Sequence, residues 1–368
     1  MEYREYRPGD EKGLNDLFNE VFSRQRTIEQ WKWLYIDAPA GPSKIVIIDH
    51  EGEIVGHEAM IPLQFHTPMG ECIGGKIEDV YISARHRGKR LSGPLLDYCL
   101  EISARANFCF SFGMAARRVP YRTHIDRGYR HVCSLNAYFA PFRPSETVAD
   151  ISRVLRFSSP KRIAMAAAMN FLAKRFERRI AKHAGDSDAL RIERIERFDA
   201  RFDELWREFA KDRNFISIKR SSEFLNWRYI DNPYREYAVL AARSGDRVVG
   251  YLCASIITRE DMDLRLKVGV VADFLVLPGY ERAFPLIVRS AVDSWRSGGA
   301  DVAIVWVHRD GDFSRPFVAE LKRWGLVSTF GRYDIPVIVR PFGTEIDTET
   351  LFDIRRWHLT QAFNAAWV

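Results

Sequence analysis

Apolar positions along the 368-residue chain switch repeatedly between two periods. Leu14, Leu17, Phe18 and Phe22 recur at three- and four-residue steps, which predicts an amphipathic helix. Lys44–His50 and Ile54–Phe65 are strand-like runs on either side of Glu51-Gly52-Glu53, and predict a hairpin. A third strand is expected over Gly75–Ser83, a helix over Leu91–Ala106, and a short apolar strand over Phe108–Gly113. A last helix closes at Gly128 and a final strand follows. The second half gives the same order. Phe198, Phe202, Leu205 and Phe209 mark a helix, and Tyr237–Arg243 and Val248–Ile257 flank the turn Ser244-Gly245-Asp246. Lys267–Leu277, Ala283–Ser297 and Val302–His308 then read as strand, helix and strand, with a last helix ending at Gly325.

The parallel is a duplication. Trp33-Leu34-Tyr35-Ile36-Asp37-Ala38-Pro39 recurs as Trp227-Arg228-Tyr229-Ile230-Asp231-Asn232-Pro233, Gly56 as Gly250, and Asp79 as Asp273. The shifts 227 − 33, 250 − 56 and 273 − 79 all equal 194. Alternating strands and helices around a mixed sheet make each copy α/β. The expected division is residues 1–143, a basic linker over 144–188, residues 189–342, and a tail over 343–368.

The linker adds charge to this picture. Ser158-Ser159-Pro160 is a helix start, and Ile163, Ala167, Phe171, Phe176 and Ile180 are expected to share one face. Lys161, Arg162, Lys174, Arg175, Arg178, Arg179 and Lys182 surround them. A connecting helix with solvated charges is the simpler expectation; contact with a membrane surface or an anionic partner through 160–183 is the sharper one. The net charge of +6 comes with no nucleic-acid recognition motif, so a nucleic-acid partner is not expected. Five cysteines without a C-x-x-C pair suggest neither a metal site nor a disulfide framework. No signal-like start or membrane-length apolar run occurs, so the expected location is cytoplasmic.

Candidate chemistry lies between the third strand and the following helix of the first copy. Val80 to Ser92 passes through Arg85, Arg87, Gly88, Lys89 and Arg90 into a helix N-terminus. Free N–H groups and the helix dipole there favour an anion, and the basic side chains add to it. Four residues before Ile82 stands Glu78; its neighbour Asp79 is expected on the opposite face of the strand. Asp79 is shared with the second copy and reads as structural, whereas Glu78 becomes Ala272 and reads as functional. His57, which becomes Tyr251, is a second candidate base.

This order of elements, repeat and loop resembles the GNAT superfamily of N-acetyltransferases, and more narrowly bacterial tandem-GNAT proteins. The resemblance covers most of the chain and implies two tandem GNAT-like domains, each a mixed, mostly antiparallel sheet flanked by helices. The family's CoA-pyrophosphate loop has the form Arg/Gln-x-x-Gly-x-Gly/Ala. Here Arg87-Gly88-Lys89-Arg90-Leu91-Ser92 stands in its place, with Arg90 and Ser92 at its later small positions. The resemblance implies acetyl-CoA or another acyl-CoA as co-substrate, the Ile82 N–H as oxyanion donor and Glu78 as base. The family's proton-donating tyrosine, four residues before the helix-ending glycine, falls on His124; Tyr121 lies one turn earlier. The second copy lacks the basic loop and has Leu321 at the donor position, so it is expected to be degenerate. Trp227, Tyr229 and Trp306 are candidate groove residues beside it, although aromatics more often belong to a core. The expected function is N-acylation of a small-molecule amine or amino sugar by direct attack. The alternatives are a Fem-like aminoacyl-tRNA-dependent transferase and a non-catalytic CoA-binding or scaffold protein.

Overall fold

The computed structural model describes residues 1–114, 118–144, 147, 149, 158–183, 190–211, 214–261, 264–329, 331, 334–343 and 346–363. The first copy runs β1 (Glu2–Glu5), α1 (Glu11–Phe22), α2 (Ile28–Tyr35), β2 (Lys44–His50), β3 (Glu53–Thr67) and β4 (Gly70–Ile82). It continues through α3 (Ser92–Arg105), β5 (Phe110–Met114), α4 (Arg118–Ile125) and β6 (Arg130–Pro141). The linker forms α5 (Ser159–His183). The second copy runs β7 (Arg191–Ile195), α6 (Ala200–Ala210), β8 (Ser217–Ile218), α7 (Ser222–Leu225), β9 (Ala238–Ser244), β10 (Arg247–Asp261) and β11 (Leu264–Val276). It ends with α8 (Ala283–Ser297), β12 (Val302–Val307), α9 (Arg315–Trp324), β13 (Val327–Ser328) and β14 (Ile335–Pro341); the tail adds α10 (Thr348–Phe352).

The repeat seen in sequence is kept in three dimensions. The strands β2, β3 and β4 start at 44, 53 and 70, and β9, β10 and β11 start 194 residues later at 238, 247 and 264. Each β3–β4 type hairpin carries a bulge at the same place. In the first copy Ala59 pairs Glu78 while His57 pairs Tyr81; in the second Cys253 pairs Asp273 while Ala254 pairs Val271. Asp79 sits in the left-handed region at φ 52°, where the bulge bends the strand.

The copies share one sheet, ordered β1-β2-β3-β4-β5-β14-β6-β12-β11-β10-β9-β7, with β8 beside β3 and β13 beside β6. β14, late in the chain, lies between β5 and β6 of the first copy. β6 in turn pairs antiparallel with β12 of the second. The strand that closes the 189–342 segment in sequence therefore belongs to the first copy's sheet.

The tandem motifs meet at the centre. Trp33 and Trp227 stack at 4.9 Å, and each indole N–H donates to the other's backbone carbonyl. Trp227, Tyr229 and Trp306 are all buried, so they serve packing and not an open groove. The tail is also core: Trp357 and Leu359 are fully enclosed, with Trp357 edge-on to Phe65 and Phe110 of the first copy. The end of the chain beyond Phe363 lies outside the described residues.

The single apolar face expected on α5 splits in two. Phe176 and Ile180 are buried, whereas Ile163 and Phe171 are exposed. Four-residue steps keep Ile163, Ala167 and Phe171 together, but the five-residue step to Phe176 turns about 140° to the other side.

Candidate active site

The site begins where the sheet opens. β4 and β5 pair in parallel at Gly74–Phe110, Gly75–Ser111 and Lys76–Phe112. Among the described residues nothing pairs with that edge of β4 from Ile77 to Ile82. The Ser83 N–H donates to the Val55 carbonyl, which makes Gly56 and Ile82 a non-hydrogen-bonded pair. The Ile82 N–H therefore points away from β3, into the opening. A parallel ladder of the same length, Val268–Val302 to Val270–Ile304, joins β11 and β12.

Beyond Ile82 the chain turns through a short 3-10 segment and enters α3 at Ser92. Arg85, Arg87, Gly88, Lys89 and Arg90 are exposed, and the Arg87 Nε donates to the Ile82 carbonyl at 3.3 Å. Gly88 takes φ 81°, with open space where a Cβ would stand. Leu91, at the N-cap, gives no side-chain cap, so no side chain competes for the first-turn N–H groups of α3. These features fit a diphosphate: exposed cations, an open glycine and uncapped helix donors. Arg90 adopts φ 58°, a conformation that favours glycine, which is the physical reason glycine suits that position.

The second copy lacks this fit. At its equivalent turn the Gly279 N–H is taken by the Glu281 carboxylate, so the loop supplies its own anion. Phe274, Phe284 and Phe317 pack together in the space between β11, α8 and α9, with Phe274 and Phe317 stacked at 3.9 Å.

The bulge corrects the expected placement of Asp79. Strict alternation would set it opposite Glu78, but the extra residue brings both to the side of the sheet that faces α2. There the Asp79 carboxylate accepts from Arg26 at 2.8 Å and from the Tyr35 hydroxyl at 2.5 Å. Arg220 and Tyr251 hold Asp273 in the same way, and Thr360 of the tail adds a third donor. Arg26 and Arg220 are themselves 194 residues apart, a signal in the repeat that points to the buried ion pair.

Glu78 is buried, and its carboxylate contacts the Lys76 ammonium. Burial, and then the neighbouring Arg228 guanidinium, push Lys76 down to about 7. Arg228 comes from the second copy, so this pair lies where the copies meet. Sequence reasoning missed Lys76; its signal is the two-residue spacing that sets it beside Glu78 on the same face. His57 is fully enclosed. Its Nδ1 lies 2.7 Å from the Asp79 carbonyl, its ring stacks on Tyr81, and burial pushes it down to about 4.

On the other side of the sheet, α3 and α4 enclose His124. Its Nε2 lies 3.6 Å from Oε1 of Glu58, a fully buried carboxylate on β3 that burial pushes up. Tyr121 packs half-buried in the same layer. Glu58 was not singled out from the sequence; a lone glutamate in an apolar strand was its signal. The structure thus brings Ile82 and the loop from Arg87 to Ser92 to one end of the opening. It sets Glu78 on one side of the sheet and His124 with Tyr121 on the other.

A family model described as Acetyltransferase (GNAT) domain matches residues 2–131. No curated protein matches the chain by sequence. Among solved structures, a GCN5-related N-acetyltransferase from Anabaena variabilis aligns with TM-score 0.61 and 12% identity, over 93% of this chain and 73% of that one. A tandem GNAT protein from the clavulanic acid biosynthesis pathway aligns with TM-score 0.58 and 10% identity, over 93% and 98%. Saccharomyces cerevisiae N-myristoyltransferase, with myristoyl-CoA bound, aligns with TM-score 0.57 and 12% identity, over 92% and 82%. At these identities the structures speak for the fold, while the family model speaks for the first copy. Residues 2–131 thus match the GNAT acetyltransferase domain family, and the chain as a whole shares the fold of tandem-GNAT structures.

Proposed function

We propose that the protein transfers an acyl group, acetyl in the simplest case, from CoA to an amine of a small molecule or amino sugar. The observation that carries this reading is the β4–α3 junction, where an inward-turned amide, an open glycine and exposed cations line one end of a parted sheet. Arg87, Gly88, Lys89 and Arg90, with the first-turn N–H groups at Leu91 and Ser92, would hold the pyrophosphate. The Ile82 N–H would receive the charge that builds on the thioester oxygen.

The amine nitrogen attacks the thioester carbonyl, the C–S bond breaks, and the nitrogen's proton passes to the Glu78 carboxylate. Lys76, pushed down to about 7, lies beside it as a second group that exchanges a proton near neutral pH. The departing thiolate takes a proton from His124 or Tyr121. Transfer is direct. Cys99, Cys133 and Cys253 are buried and their thiols are pushed up, Cys133 to about 12, which suits none of them as a nucleophile. His57 belongs to packing in this reading.

Thiol release from acetyl-CoA over a panel of small amines and amino sugars tests the activity. Glu78→Gln is expected to lower kcat about 100-fold or more while acetyl-CoA binding holds. Unchanged turnover would remove Glu78 from the mechanism.

A further inference from the structure

The acyl-transfer reading leaves α5 unused. One side of this helix is anchored. Phe176 packs against Phe142 at 5.6 Å, Glu177 pairs with Arg296, and Arg179 donates to the Lys322 and Arg323 carbonyls at 3.0 and 2.8 Å. Arg179 thereby caps the end of α9. The opposite side faces outward.

On that outward side Ile163 is 66% and Phe171 60% exposed, with exposed Ala167 between them. Among the described residues these are two of the few large apolar side chains left exposed. Further along, the same side carries exposed Lys174 and Arg178. Glu177, already paired, is the one acidic residue in α5. The surface is therefore apolar toward the helix start and cationic toward its end.

We propose that α5 seats the protein on an anionic lipid surface. An apolar stripe next to basic residues meets the two demands of a bilayer interface: Ile163 and Phe171 enter the headgroup boundary, and the cations meet lipid phosphate. Among the described residues no helix is long and apolar enough to cross a membrane, so α5 lies on the surface. An acidic protein would satisfy the cations but leave Phe171 and Ile163 without a purpose. The inference goes beyond the acyl-transfer reading and needs no turnover to test.

The test is co-sedimentation of the full chain with phosphatidylcholine vesicles, alone or with about one-third phosphatidylglycerol. Binding is expected to the anionic vesicles and to fall as salt rises. Ile163→Ser with Phe171→Ser is expected to weaken it about tenfold or more. Lys174→Glu with Arg178→Glu is expected to weaken it at least about fivefold per residue. All four side chains are exposed, and thermal unfolding checks that the variants fold. Equal binding to neutral vesicles, or anionic binding that neither pair of changes lowers, would overturn the proposal. So would loss on charge reversal alone, accompanied by equal binding to soluble polyglutamate, which would assign the surface to an acidic partner.

Discussion

Trp33 and Trp227 occupy the same place in the two copies and meet each other, stacked at 4.9 Å with reciprocal indole-to-carbonyl hydrogen bonds. The duplication thus supplies its own interface. Both rings are buried, and truncating a buried tryptophan removes packing as well as a donor.

Trp227→Ala is therefore expected to cost about 3–5 kcal/mol, read from urea unfolding. Because β14 joins the first sheet and β6 joins β12, the copies are also expected to unfold in one transition. Two separated transitions, or a cost below about 1 kcal/mol, would show that the copies are independent.

Acid should weaken the first copy through His57. Burial holds this ring at about 4 against an ordinary 6.5. Between those values the unfolded chain binds a proton that the folded chain refuses, so stability rises with pH across the window and is lost as pH falls through it. The full loss is about 3 kcal/mol. His57→Gln is expected to flatten the dependence of urea midpoint on pH between 6.5 and 4. An unchanged slope would place the acid sensitivity elsewhere.

Arg90 pays for its left-handed backbone, at φ 58°. Arg90→Gly is expected to raise stability by about 1 kcal/mol, while Arg90→Ala gives no such gain because the strain stays. Equal effects of the two changes would mean that the backbone at this position carries no strain.

Much of this architecture is legible in the sequence. Period and turn residues mark the strands and helices, and the constant offset of 194 pairs Asp79 with Asp273. Local pattern does not say which strand lies beside which, so the exchange of β6 and β14 is invisible until the chain folds. The bulge at Asp79 is equally hidden, because alternation assumes an unbroken ladder; it moves Asp79 to the side of Glu78. Lys76 and Glu58 gain meaning only from burial. On α5 the five-residue step from Phe171 to Phe176 was present in the sequence, but only contact with β6 and α9 shows which side is covered.

The most direct test of the account is thermal unfolding with and without saturating acetyl-CoA, beside Arg87→Ala. A ligand at a hundredfold excess over Kd stabilises the folded state by about 2.7 kcal/mol. The account predicts a rise in Tm of several degrees that Arg87→Ala abolishes or sharply reduces. No rise in the unsubstituted protein would contradict a working CoA site at the β4–α3 junction.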